Sequence, residues 1–153
     1  MSRFSEALYS IAITLWVGGL WAIGALAAPT LFYKIADRTL AGNAGGAMFE
    51  SMAWVSMACA AYLLLFLIAR RGFSVFKSGA FWLVLAMLAL TLAGHFGVGP
   101  ILAELRADAL PRQIMESVLR DRFAAWHGVS SGLYLIEGLL GLALVATQGK
   151  TLR

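Results

Sequence analysis

The chain has 153 residues, of which 61% are hydrophobic and 13% charged, with a net charge of +4. Soluble domains average about 45–50% apolar and ~25% charged residues, so the composition excludes an ordinary soluble enzyme and points to a membrane protein. One cysteine, Cys59, excludes an intrachain disulfide, and the short basic connectors read as topology signals instead of a nucleic-acid surface.

Four apolar segments are predicted, at residues 6–28, 47–69, 78–98 and 123–147, in a single integral membrane domain covering 1–153. Each is close to the ~20 residues that cross ~30 Å of hydrocarbon as a helix. Unalternating runs of this length satisfy their backbone groups in lipid only as helices. The expected fold class is therefore all-α: a four-transmembrane-helix bundle.

The first segment follows Arg3 and contains Trp16, Trp21 and the Gly18–Gly19 pair. It exceeds a signal-peptide core of ~7–15 residues and is expected to be retained as a helix. Pro29 to Gly46, ending in AGNAGG, reads as a flexible loop. The second segment opens with Met48, Glu50 and Met52, and the stretch RRGFSVFK from Arg70 reads as a tight basic hairpin. The third segment ends near His95, with Thr91 one turn earlier on the same face. Gly99 to Arg122 reads as a long charged connector. From Pro111 onward, Ile114, Met115, Val118 and Leu119 recur at helical spacing, which predicts an amphipathic interfacial helix before the fourth span.

The fourth segment carries His127 at its start and Glu137 well inside. At ~100° per residue, His127, Ser130, Ser131, Tyr134, Glu137, Gly138 and Gly141 share one broad face. Ionisable groups in a span are costly, so this polar stripe is expected to face inward. Small residues at four-residue spacing, such as Gly18/Ala22, Gly24/Ala28, Ala89/Ala93/Gly97 and Gly128/Gly132, are expected to serve intrachain packing, with a homo-oligomer interface or a membrane partner protein as the alternative. The five tryptophans suggest interfacial belts.

Alternating spans put His95, His127, Glu50 and Met48 near one membrane face, with Tyr33 and Lys34 following the first span. Two imidazoles could ligate haem iron or copper, and methionine suits Cu(I). His95 and His127 are thus the candidate cofactor ligands, with Glu50 and Met48 as further metal ligands. Glu137 lies about 15 Å deeper, at 1.5 Å per residue, and fits a proton or cation path with Ser131 and Tyr134. The alternatives are ordinary ones. A histidine at a helix end can bond a carbonyl, and Glu137 can be structural, paired with a buried hydroxyl or protonated. No catalytic constellation is evident, which makes an enzyme the less favoured reading.

Basic residues divide six against six between the two sides of the membrane. The acid-free Arg70–Lys77 hairpin favours cytoplasmic termini. The expected setting is a bacterial inner membrane.

Three stretches carry a family resemblance: LWVGGLWAIGALAAPTLF from Leu15, LAGNAGGAMFESM from Leu40, and HFGVGPIL followed by RFAAWHGVSSGLYLI. In this order they resemble an uncharacterised four-span family, a domain of unknown function similar to transmembrane protein 205. That resemblance implies a small membrane bundle with a non-catalytic binding, transport-accessory or resistance role. The WVGGL pattern is more distantly similar to copper resistance protein D and to the membrane haem protein that oxidises protoporphyrinogen. Those families carry a histidine two turns before the tryptophan, a place taken here by the neighbourhood of Tyr9. A haem or copper site in this chain would therefore use His95 and His127. A third reading is a structural or assembly subunit of a membrane complex.

Overall fold

The computed structural model describes residues 3–108 and 117–151. It contains helices α1 (Arg3–Trp21), α2 (Ala28–Lys34), α3 (Arg38–Arg71), α4 (Gly79–Leu92), α5 (Gly99–Asp108) and α6 (Ser117–Thr151). Two π-helical turns, Ala22–Ala27 and Ala93–Val98, join α1 to α2 and α4 to α5 without a break. Four helical stretches are long and apolar enough to span a membrane: Arg3–Lys34, Arg38–Lys77, Gly79–Arg106 and Arg120–Gly149. The fold is an all-α bundle, as the apolar run lengths predict.

The packing forms a ring. α1 lies against α3 and α6, and α4 lies against the same two helices. The core runs down its middle through Tyr9, Ile13, Trp16 and Leu20 of α1, Leu63 and Leu67 of α3, Val84 and Met87 of α4, and Leu144 of α6. At one end, Arg70 Nη1 meets Glu6 Oε1 at 2.6 Å and the Tyr62 hydroxyl donates to the Ser5 carbonyl. This end holds the start of α1 and the end of α3. There the chain turns through Gly72, whose φ of +53° favours glycine, and a 3-10 turn over Gly72–Lys77.

Two expectations are corrected. Pro29–Gly46 is not a loop: α2 continues the first span to Lys34, and α3 begins at Arg38. Pro29 follows the π-helical turn inside this continuous helix, where its ring has no N–H to donate to the preceding turn. The Asp37 carboxylate caps α3 by accepting from the amides of Thr39 and Leu40. Ala41 and Gly45 are buried, so packing holds the glycine-rich stretch helical. Gly99–Asp108 is likewise helix α5, where a connector was expected. Most of the amphipathic segment expected from Pro111 lies outside the described residues; from Ser117 the chain is one helix with the fourth span.

The small residues are only partly used. Gly141 meets Val17 closely: a Cβ there would lie 3.0 Å from Val17 Cγ2. A Cβ at Gly18, Gly97, Gly128 or Gly132 would meet nothing within 4 Å among the described residues; the first three are exposed and Gly132 is half-buried.

Candidate functional site

Glu137 is buried to 4% exposure in the middle of α6. Its Oε1 accepts from Trp16 Nε1 at 3.1 Å and from Thr91 Oγ1 at 2.7 Å. One side chain of α6 is thus tied to α1 and to α4. The Thr91 hydroxyl also lies 3.0 Å from the Met87 carbonyl, one turn back on its own helix.

α3 supplies a fourth polar group near this depth. Ser56 is 1% exposed, and its hydroxyl has no hydrogen-bond partner among the described residues. Tyr9 stacks near Phe66, and Met52 fills the space beside Gly19, so antiparallel register puts Ser56 opposite the turn of α1 that carries Trp16. Trp16, Ser56, Thr91 and Glu137 each lie within three residues of the midpoint of their spanning stretch. One polar residue from each helix therefore sits at the centre of an otherwise apolar core.

One turn toward the His end, Tyr134 extends the arrangement. Its hydroxyl donates to the Leu20 carbonyl at 2.9 Å, and Trp21 Nε1 donates to the Gly138 carbonyl at 3.2 Å. The Tyr134 ring lies against Gly24 so closely that a Cβ there would be 2.7 Å from Cε1. Phe49 meets the same ring edge-on at 4.8 Å. Gly24 is inside the first π-helical turn, so the bulge and the tyrosine occupy one place. Such turns recur at functional positions.

The inward stripe is shorter than expected. Tyr134, Glu137, Gly138 and Gly141 face the bundle, but His127 and Ser131 are exposed. Ser131 sits at the edge of the packed face. His127 stacks on Phe123 at 5.9 Å, and Arg106 lies 5.7 Å over the other partner of that stack, the Phe123 ring.

His95 is half-buried in the second π-helical turn, with Trp54 at 5.3 Å and Phe96 at 4.6 Å between ring centroids. Met48 is half-buried in an open groove with Ala22, Leu26 and Leu31, and Glu50 is exposed. Tyr33 is largely exposed, with the Lys34 ammonium 5.3 Å from its ring, and Met52 is buried against Gly19. Among the described residues, no three of His, Cys, Asp and Glu lie together in a way that could hold a metal ion.

Sequence reasoning missed Trp16, which had been grouped with the interfacial tryptophans. It is fully buried. A signal existed: a buried indole N–H needs an acceptor, and a carboxyl inside a span needs a donor. Nothing in the spacing pairs positions 16 and 137, which are 121 residues apart.

The model of one family, a domain of unknown function named DUF4149, matches residues 11–111. The chain belongs to the DUF4149 family. The match takes in Trp16, Ser56, Thr91 and His95 and ends before α6, so Glu137, Tyr134 and His127 lie beyond it. No curated protein and no solved structure matches the chain. DUF4149 membership thus agrees with an uncharacterised four-span family and assigns no activity.

Proposed function

We propose that this DUF4149 protein is a non-catalytic membrane protein with a binding or transport-accessory role, working through the Glu137 centre. The observation that carries the reading is the buried carboxyl bonded to Trp16 and Thr91 from two other helices. A charged side chain at mid-bilayer costs ~2.5–3.5 kcal/mol on insertion scales, and such residues mark ion or proton sites by default. Tyr134 and Ser131 lead from Glu137 toward the His127 end of α6, the direction a proton or cation path would take. A resistance role, as in proteins similar to transmembrane protein 205, fits the same reading. The bilayer proposed is a bacterial inner membrane, with both termini cytoplasmic.

A second reading is a haem- or copper-binding redox protein with His95 and His127 as ligands. It is favoured by one observation: His95 lies on a π-helical turn that packs against α6, the helix of His127. The two readings separate in one sample. The protein is purified in mild detergent from cells supplied with haem and copper, and its absorption spectrum and metal content are recorded. The first reading predicts a colourless, metal-free protein. A Soret band, or stoichiometric copper lost on His95→Ala or His127→Ala, overturns it in favour of the second.

A further inference from the structure

We infer that the mid-span layer is a proton-binding site, in which Glu137 is held as a carboxylic acid with Thr91 as its hydrogen-bond partner. The inference deepens the reading of Glu137 as the working centre and rests on it. The charge environment comes first. The two groups bonded to Glu137 are an indole N–H and a hydroxyl, both neutral. Of the titratable groups on the packed elements, α6 offers Tyr134, whose hydroxyl is turned to Leu20. α4 leads to His95, packed on Trp54 and Phe96, and α3 offers Cys59. On α1, Tyr9 packs against Phe66 two turns away, and Glu6 is paired with Arg70 at the end of the bundle. No lysine or arginine among the described residues forms an ion pair with Glu137. A carboxylate here would be a buried charge without a counter-charge, which proteins avoid by neutralising the group.

The geometry has room for the extra proton. Thr91 Oγ1 lies 2.7 Å from Glu137 Oε1 and 3.0 Å from the Met87 carbonyl. The single hydroxyl proton of Thr91 can go to Met87 while Thr91 accepts the proton of the acid, and every hydrogen then has an acceptor. A cation is the poorer occupant, because the Trp16 N–H is aimed at the same oxygen and would repel it.

Infrared spectroscopy of the purified protein in detergent, in neutral buffer, tests this. The expected result is a protonated-carboxyl C=O band in the wild type that is absent in Glu137→Gln and moves in Thr91→Val. Carbon-13 labelling of the glutamate carboxyls must shift the same band, which assigns it to a glutamate, and its movement in Thr91→Val assigns it to Glu137 if Glu137→Gln does not fold. The absence of a label-sensitive acid band overturns the inference. So does a sodium-dependent rise in melting temperature that Glu137→Gln abolishes, since that makes the occupant a cation. A Soret band in the same preparation would sink the functional reading and leave the acid band where it is, so the two failures are distinguishable.

Discussion

The indole of Trp16 and the carboxyl of Glu137 each need a partner that lipid does not offer, and each finds the other. Glu137→Leu would remove the acceptor from a buried N–H, and an unsatisfied buried donor costs about 1–3 kcal/mol. We expect a lower melting temperature in detergent, followed by tryptophan fluorescence; an unchanged melt would contradict the assigned bonds. Gly24→Val places its branched side chain where the Tyr134 ring lies. Overpacking of this kind costs about 1–3 kcal/mol. Thermal melting of Gly24→Val beside Gly18→Val is the control, because a Cβ at Gly18 meets nothing among the described residues and the site should tolerate the change. At this scale the sequence was half legible. The cost of Glu137 in a span, and the inward turn of Tyr134, follow from helix periodicity. The partnership with Trp16 does not, because it depends on which helices become neighbours. The exposure of His127 and Ser131 also escaped periodicity, since a shared helix face does not say how far along the helix a neighbour covers it.

Among the elements, the first connector shows most clearly why local pattern and structure part. AGNAGG has the composition of a turn, yet α3 runs through it because Asp37 caps its start and Ala41 and Gly45 pack inward. Asp37→Ala should fray this first turn at a cost of about 0.5–2 kcal/mol. Hydrogen exchange at the amides of Thr39 and Leu40 reads it directly, with faster exchange expected and unchanged protection contradicting the cap. The π-helical turns did carry a local mark that the pattern reading passed over: each ends two residues before a proline, Pro29 and Pro100, whose ring has no N–H to donate and crowds the carbonyl four residues back. By contrast, the Arg70–Lys77 hairpin was readable, because Gly72 and clustered basic residues are local signals.

For the whole molecule, the four apolar runs correspond to four helical stretches long and apolar enough to cross a membrane. An even number of crossings, with Glu6 paired to Arg70, puts the start of α1, the end of α3 and the Arg70–Lys77 turn at one end of the bundle. That end is proposed to be cytoplasmic. Reporter fusions at the C-terminus should therefore fluoresce as a cytoplasmic protein and lack periplasmic phosphatase activity; the reverse pattern would invert the topology. What ties three of the four helices together across the centre is the set of bonds from Trp16 and Thr91 to Glu137, and the proposed function depends on it. The most direct measurement is a double-mutant cycle between Trp16→Phe and Glu137→Leu, read as unfolding free energy in detergent. Hydrogen bonds between spanning helices give coupling of about 0.6 kcal/mol on average and up to ~1.7. A coupling within that range is the predicted result, and strictly additive effects would contradict the bond on which the account rests.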